Sequence, residues 1–337
     1  MSRLRAHCKV PAPDRSRRPT PPALHYLYDR AGLRVAVIDI GTNSTRLLVA
    51  EVAADGSSLS EIVRHSRVTR LGRGVDSSGQ LATEAIDQVC TTIADYLVTA
   101  AAHEPDVTVA LATSAVRDAS NGDAFLAELR ERFALNGRVL TGAEEAQLTY
   151  RGATCRRPAG EGTLVFDIGG GSTELIVGGA AGVAFHESLQ LGVVRHSERF
   201  LIADPPASDE LEALADSIRA EVTACRGRYG GPSPASAIAV AGTPTSLAAI
   251  ELDLEPYDPG AVEGHVLELA GLQRQLGRLA SMPLLERRKV RGLQPDRAAT
   301  IVCGIVILIG TMRAFGLDRV EVSERDILWG AALAAAT

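Results

Sequence analysis

An internal repeat is the feature that most constrains how this chain of 337 residues folds. The segment from Asp39 to Val49 returns 128 residues later as Asp167 to Val177, and seven of the eleven positions are identical without a gap. This spacing exceeds the periods of about 20 to 50 residues that are typical of solenoids. The repeat therefore predicts two homologous domains, each able to bury a core of its own.

Each copy of the repeat has the pattern of a buried strand, a polar turn and a second strand, because apolar and β-branched residues flank a run of glycine and small polar residues. Further short strands are predicted at 107–111 and 138–140. Helical periodicity is found over about 81–103, 124–133, 208–224, 244–251, 266–280, 297–315 and 326–335. Strands that alternate with helices indicate an α/β fold.

The composition excludes several classes of protein. The net charge of −6 gives no overall attraction to nucleic acid or to an anionic membrane, so we expect neither as a partner. The five cysteines lie at least 65 residues apart, which excludes zinc fingers and redox C-x-x-C motifs. No run of 18 uncharged apolar residues exists, and we expect a cytoplasmic protein.

Residues 1–33 differ from the rest of the chain. The first 30 residues hold seven basic and two acidic residues and five prolines, and no apolar segment of a signal peptide follows the basic start. We predict a disordered basic tail here.

The two turns of the repeat can form a phosphate clamp. Glycines let backbone N–H groups approach an anion closely, and the hydroxyl groups add donors. Either turn alone could be an ordinary hairpin turn, but the matched pair favours phosphate binding. The candidate phosphate ligands are Gly41, Thr42, Asn43 and Ser44 in the first turn and Gly169, Gly170, Gly171, Ser172 and Thr173 in the second.

A carboxylate precedes each turn. Asp39 and Asp167 would repel phosphate unless a cation lay between them, so we expect both to hold Mg²⁺ or Mn²⁺, through its bound water molecules.

A third candidate element is a helix start after residue 241. Pro244 at the first helical position and Thr243 before it are typical of a capped helix, and helix N-termini attract anions. Gly242 and Thr243 are therefore candidate phosphate ligands, and a purely structural cap is the alternative.

Two neighbouring glutamates can be separated by their positions. Thr141 and Glu144 fit a capping box, in which Glu144 bonds back to the helix start. Glu145 is then on a different face, free to point into a cleft. Arg117 follows a predicted strand, where it could bind phosphate or pair with Asp118.

The two Asp-Gly turns and the helix start, in this order, resemble the phosphate and nucleotide site of the actin-like ATPase superfamily. Five further segments resemble the exopolyphosphatase and guanosine pentaphosphate phosphatase family, in its short, two-domain form. These segments are Leu71–Asp76, Ala112–Asn121, Thr141–Tyr150, Leu191–Arg195 and Val322–Gly330.

This resemblance implies two duplicated actin-like (ribonuclease H-like) α/β domains, at about 34–144 and 145–321, with a cleft between them. It implies that a C-terminal helix within about 322–337 packs back on the first domain. Glu145 matches the catalytic glutamate of the family and is also a candidate metal ligand.

The implied activity is Mg²⁺-dependent hydrolysis of the terminal phosphoanhydride of inorganic polyphosphate by direct attack of water. Hydrolysis of guanosine pentaphosphate is the nearest alternative. An actin-like small-molecule kinase and a nucleotide-dependent assembly protein are more distant ones. A homodimer is left open.

Overall fold

The computed structural model describes residues 32–157 and 162–336. The predicted tail lies outside the described residues except for Gly32 and Leu33, which already belong to the first strand. The strand begins two residues before the predicted domain boundary because Gly32 and Leu33 pair with Ala53 and Val52 of the next strand.

The first lobe comprises the elements up to residue 139. In chain order these are β1 (Gly32–Ile40), β2 (Ser44–Ala53), β3 (Leu59–Val68), α1 (Val75–Ser78), α2 (Thr83–Ala101), β4 (Val107–Ala112), α3 (Ser114–Asp118), α4 (Gly122–Phe133) and β5 (Gly137–Val139). Their sheet has the order β3-β2-β1-β4-β5. The first three strands are antiparallel, and β4 and β5 run parallel to β1.

The elements that follow build the second lobe, except that the C-terminal helix packs back on the first sheet. They are α5 (Gly142–Thr154), β6 (Thr163–Ile168), β7 (Thr173–Gly179), β8 (Gly182–Leu189), α6 (Val193–Phe200), α7 (Ser208–Tyr229), β9 (Ser236–Val240), α8 (Gly242–Glu251), α9 (Pro259–Val262), β10 (Val266–Glu268), α10 (Leu269–Ala280), α11 (Leu284–Arg287), a 3₁₀ turn (Pro295–Arg297), α12 (Ile301–Phe315), β11 (Arg319–Val322) and α13 (Ile327–Ala335).

The two sheets repeat one topology, as the sequence repeat predicts. The second sheet has the order β8-β7-β6-β9-β11, which matches β3-β2-β1-β4-β5, and adds β10 at its edge. In both sheets two antiparallel hairpins precede parallel strands. The predicted duplicated α/β fold is confirmed.

Alternation of side chains along the strands builds a core on each face of each sheet. In β1, Ala36, Ile38 and Ile40 pack against α2 and α4, whereas Val35 and Val37 pack against α13. The second sheet is covered on one face by α7, α8, α10 and α12 and on the other by α5. Nearly every residue of α12 is buried, which explains its continuous apolar run.

Helices α5 and α13 pack closely against each other between the two sheets. A Cβ atom on Gly152 would lie 1.9 Å from the carbonyl oxygen of Asp326, and one on Gly330 would lie 1.8 Å from that of Leu148. The two backbones therefore touch, and only glycine fits at these positions. Because α5 packs on the second sheet and α13 on the first, this contact joins the lobes.

Some element boundaries differ from the prediction. Residues 266–268 form the edge strand β10 rather than the start of a helix, because they pair with β11. The helix predicted from 297 begins at Ile301, after the 3₁₀ turn. None of the helices in the described ranges combines the length and the apolar character that crossing a bilayer requires.

Candidate active site

The turns that follow β1 and β6 have the same local geometry. In the first turn the N–H of Gly41 donates to the carbonyl oxygen of Ser44 at 3.0 Å. In the second turn the N–H of Gly169 donates to the carbonyl oxygen of Ser172, also at 3.0 Å. The sequence repeat is thus a repeat of backbone conformation.

The two turns touch each other at Gly170. A Cβ atom at this position would lie 2.9 Å from the backbone nitrogen of Asn43 and 3.0 Å from the Cβ of Thr42. No side chain fits between the turns. Glycine at 170 is therefore required by the close approach of the two lobes.

The turns meet at a small cavity, called here the inner chamber, of about 80 Å³. Most of the predicted site residues line it, although they come from segments far apart in the chain. They are Asp39, Gly41, Thr42, Asn43, Ser44, Glu145, Asp167, Gly169, Gly170, Ser172, Gly242 and Thr243.

Three predicted phosphate ligands do not line the inner chamber. The hydroxyl of Thr173 donates to the carbonyl oxygen of Leu191 at 2.5 Å and is fully buried. Gly171 lines a separate small void instead. Arg117 donates to the carbonyl oxygen of Leu140 at 2.7 Å and to Glu145 at 3.2 Å, and its predicted alternative partner Asp118 is bound by another arginine.

The third predicted element also lines the chamber, but its helix begins earlier than expected. Helix α8 starts at Gly242, with Ala241 rather than Thr243 as the N-cap and no side chain capping it. Pro244 fits in the first turn because the N–H that it lacks has no intrahelical partner there. A Cβ on Gly242 would lie 1.5 Å from Nη1 of Arg297, so glycine lets this arginine approach the helix start.

The predicted separation of the two glutamates is confirmed. The backbone N–H of Glu144 donates to Oγ1 of Thr141 at 3.2 Å, and the Glu144 carboxylate accepts the backbone N–H of Thr141 at 2.9 Å. Glu145 points the other way and is 7% exposed in the chamber. One carboxylate thus caps the helix while the next faces the cavity.

Four buried carboxylates line the inner chamber, those of Asp39, Glu145, Asp167 and Glu174. Burial raises the pKa of Glu145 above its ordinary range, and the nearby Glu174 carboxylate raises it further. Burial also raises the pKa values of Asp167 and Glu174. Burial raises the pKa of Asp39 as well, against the opposing effect of Arg46. Such a cluster favours a cation or a proton in the chamber.

Arg46 is a site residue whose role the sequence leaves open, because it directly follows the first turn but could equally face solvent from its strand. Its Nε and Nη2 donate to Oδ2 of Asp39 at 2.8 and 2.6 Å, and its Nη1 donates to Asp326. The other oxygen of Asp39 is buried without a hydrogen-bond partner among the described residues. Arg46 therefore fixes the Asp39 carboxylate with one oxygen free.

A comparison of the two copies of the repeat could have identified Arg46. Arg46 pairs with Asp39 across the first hairpin, and Glu174 pairs with Asp167 at the equivalent position of the second. The hydroxyls of Ser172 and Ser188 donate to Glu174 at 2.7 and 2.9 Å. The two hairpins therefore differ in charge at one matched position, with a guanidinium in the first and a carboxylate in the second.

A larger cavity, called here the outer cavity, adjoins the inner chamber and has a volume of about 680 Å³. The two share four lining residues, Arg46, Ala241, Gly242 and Arg297. The sequence has four basic residues between positions 287 and 291, and three of them line the outer cavity, namely Arg288, Lys289 and Arg291. Arg287 is instead buried and donates to the carbonyl oxygens of Met282 and Ala298.

The residues available to a metal ion are carboxylates. Among the described residues, no three histidine, cysteine, aspartate or glutamate side chains lie close enough to form a metal site by themselves. The free oxygen of Asp39, together with Asp167 and Glu145, offers the hard oxygen donors that Mg²⁺ prefers.

Comparison with known proteins identifies relatives over most of the chain. Residues 48–330 match the model of the Ppx/GppA phosphatase family. Exopolyphosphatase 2 of Mycobacterium tuberculosis is 36% identical over 315 residues, which cover 90% of this chain and 98% of that protein. Exopolyphosphatase 1 of Mycobacterium leprae is 30% identical over 294 residues, which cover 86% of each protein.

Solved structures agree with these sequence matches. The crystal structure of the Aquifex aeolicus member of the Ppx/GppA family superimposes with a TM-score of 0.76 at 30% identity and covers 90% of this chain and 97% of that one. An exopolyphosphatase from Cytophaga hutchinsonii superimposes with a TM-score of 0.83 at 25% identity, again covering 90% of this chain and 97% of the other.

Proposed function

The chain belongs to the Ppx/GppA phosphatase family, and from this premise we propose that it is an exopolyphosphatase, which removes the terminal phosphate of inorganic polyphosphate. The observation that carries the proposal is the inner chamber, where one buried carboxylate, Glu145, faces two matched phosphate-binding turns. Its volume of about 80 Å³ suits one terminal phosphoryl group, and the outer cavity suits the rest of the substrate.

In this proposal the two turns hold the terminal phosphoryl group. The N–H groups of Gly170 and Ser172 have no hydrogen-bond partner within the described chain and so can donate to phosphate oxygens. The start of α8 adds N–H groups at Gly242 and Thr243. Arg297 and Arg46 lie where the polyphosphate passes from the inner chamber into the outer cavity, and their positive charges attract its phosphates.

Glu145 acts as the base. It orients a water molecule and accepts its proton while the water oxygen forms a bond to the terminal phosphorus. The bond between that phosphorus and the bridging oxygen breaks, and the electron pair remains on the shortened chain. Arg117 holds the carboxylate of Glu145 in place through the contact at 3.2 Å.

Mg²⁺ or Mn²⁺ is the proposed cofactor, with Asp39, Asp167 and Glu145 as candidate ligands, partly through water. Such an ion keeps several waters and binds through one or two carboxylates and the phosphates of a substrate. When bound it would neutralise charge on the transferred phosphoryl group. The free buried oxygen of Asp39 fits this role.

Metal binding gives the first prediction. Without metal, buried carboxylates repel one another, so Asp167→Asn should raise the melting temperature of the metal-free protein. Mg²⁺ should raise the melting temperature of the wild type and have much less effect on the variant, and chelation should abolish phosphate release. A thermal shift titration measures this, with Glu212→Gln on the exposed face of α7 as the control. An equal Mg²⁺ response in both proteins would exclude Asp167 as a ligand.

Guanosine pentaphosphate is a second candidate substrate, favoured by the lining of the outer cavity. Tyr257 lines this cavity, as do the apolar residues Leu254, Val290 and Leu293 and the basic residue Arg288. An aromatic ring can stack on a nucleobase, which contributes about 1–3 kcal/mol per base. Inorganic polyphosphate has no base to use this surface.

Tyr257→Leu separates the two substrates. We expect it to lower kcat/KM for guanosine pentaphosphate by roughly tenfold and to leave tripolyphosphate hydrolysis unchanged, because only the first substrate carries a base. Equal effects on both substrates would remove Tyr257 from base recognition.

The experiment that tests the proposed function is a comparison of phosphate release. Polyphosphates of several lengths, guanosine pentaphosphate and ATP are incubated with the protein, with and without Mg²⁺, and orthophosphate is measured with malachite green. We expect Mg²⁺-dependent release from polyphosphate and none from ATP. Absence of release from every polyphosphate would reject the proposal.

A further inference from the structure

Two small residues that line the inner chamber, Thr42 and Ser114, pack against a third, Gly171, and the three together are called here the rear wall. The hydroxyls of Thr42 and Ser114 share a hydrogen bond of 2.7 Å, and the N–H of Ala115 donates to Oγ1 of Thr42 at 3.2 Å. A Cβ on Gly171 would lie 2.6 Å from Oγ of Ser114 and 3.0 Å from Oγ1 of Thr42. The three residues touch, and this closes the chamber here.

A small void borders the rear wall outside the chamber. It has a volume of about 10 Å³ and is lined by Thr42, Gly171, Gly72 and Arg195, among others. A volume of at least about 10–15 Å³ is needed to hold one water molecule. No phosphoryl group, and no substituent on one, can therefore extend past the wall.

Arg195 on α6 supports this wall from behind with all three nitrogens of its guanidinium. Its Nε donates to the carbonyl oxygen of Gly171 at 3.1 Å, its Nη2 donates to Asp118 at 2.9 Å, and its Nη1 donates to Asp76. Asp76 and Asp118 belong to α1 and α3 of the first lobe, whereas Gly171 belongs to the second. The planar guanidinium thus ties the two lobes together behind the wall.

The wall and the outer cavity lie along different parts of the chamber. Gly242, Arg297 and Arg46 connect the chamber to the outer cavity of about 680 Å³, whereas Thr42 separates it from the void of about 10 Å³. A polyphosphate chain that enters through the outer cavity therefore ends at the rear wall.

We propose that Arg195 determines specificity by keeping the rear wall closed, so that the inner chamber accepts only an unsubstituted terminal phosphoryl group. This inference rests on the proposed function and explains why such an enzyme would act at chain ends. A phosphoryl group in the middle of a chain, or one that carries an ester, has a substituent that the closed wall excludes.

The test uses tripolyphosphate and its dimethyl ester, in which each terminal phosphate carries one methyl group. Hydrolysis of the ester transfers a terminal group to water, which yields methyl phosphate and methyl diphosphate, because the water oxygen bonds to the terminal phosphorus as the bridging bond breaks. Phosphorus NMR resolves these products from those of tripolyphosphate. Both substrates have the same two phosphoanhydride bonds, and they differ only in the methyl group on each terminal phosphate.

Arg195→Ala should change the two activities in opposite directions. With the wall loosened, kcat for tripolyphosphate should fall several-fold, because the terminal group is held less firmly, and KM should change little. The kcat/KM for the dimethyl ester should rise about tenfold or more. General structural damage would lower both activities, so the opposite signs identify a specificity role.

Two variants complete the design. Ser114→Gly opens the wall without touching Arg195 and should also favour the ester, which keeps the test decisive if Arg195→Ala does not fold. Arg199→Ala removes an exposed guanidinium on the same helix, which lies 5.3 Å from the centre of the Phe200 ring, and should change neither activity.

This experiment distinguishes a failure of the proposed exopolyphosphatase function from a failure of the proposed role of Arg195. A wild type that releases no phosphate from tripolyphosphate overturns the proposed function and this inference with it. An active wild type whose preference for the uncapped substrate is unchanged in Arg195→Ala and in Ser114→Gly overturns this inference alone.

Discussion

Glu145→Gln should lower kcat for polyphosphate hydrolysis by about 10²- to 10⁴-fold, the usual contribution of one general base. The amide keeps the size of the side chain but cannot accept a proton from water. Because Glu145 is buried in the chamber and held by Arg117, no exposed carboxylate can easily replace it. Binding of polyphosphate, measured by calorimetry, should survive the substitution.

The matched control is the neighbouring residue. Glu144→Gln changes the same functional group one position earlier, where the carboxylate bonds to Thr141 at the helix start and to Arg138. We expect a small decrease in melting temperature and nearly unchanged kcat. Equal losses of kcat in the two variants would contradict the assignment of Glu145 as the base.

Gly170→Val should abolish detectable hydrolysis, with a loss of at least about 10²-fold, since misplacement of a reacting group by about 1 Å already costs that much. Its Cβ would lie 2.9 Å from the backbone nitrogen of Asn43, and backbone cannot yield as a flexible side chain can. The two turns must therefore separate, and the N–H groups of both turns no longer converge on one phosphate. The melting temperature should fall as well.

Gly227→Val is the matched control for this substitution. Gly227 lies on the exposed face of α7, and a Cβ there meets no atom within 4 Å. Activity and polyphosphate binding should be those of the wild type. If Gly170→Val retained wild-type kcat/KM, the close contact of the two turns would not be needed for phosphate binding.

Local patterns in the sequence predicted the parts of the site that depend on neighbours in the chain. The repeat of Asp39–Val49 predicted two hairpins with equivalent turns because strand, turn and strand are adjacent in sequence. The capping box distinguished Glu144 from Glu145 because its hydrogen bonds span only three residues. Such short-range geometry follows from backbone conformation alone.

Contacts between distant segments could not be predicted in the same way. Arg46 binds Asp326, which is 280 residues away, and Arg195 crosses from one lobe to the other. The contact between Gly242 at the start of α8 and Arg297, far along the chain, follows from neither segment alone. These arginines could equally have faced solvent, since the sequence does not state which lobe surfaces meet.

The most direct test of the proposed mechanism is hydrolysis of a linear polyphosphate in ¹⁸O-labelled water with Mg²⁺, in which the wild type is compared with Glu145→Gln. Attack of water on the terminal phosphorus predicts one ¹⁸O atom in each released orthophosphate and none in the shortened chain, at a rate that Glu145→Gln reduces by about 10²-fold or more. Label in the shortened chain would contradict attack on the terminal phosphorus, and a rate unaffected by the substitution would contradict the assignment of Glu145 as the base.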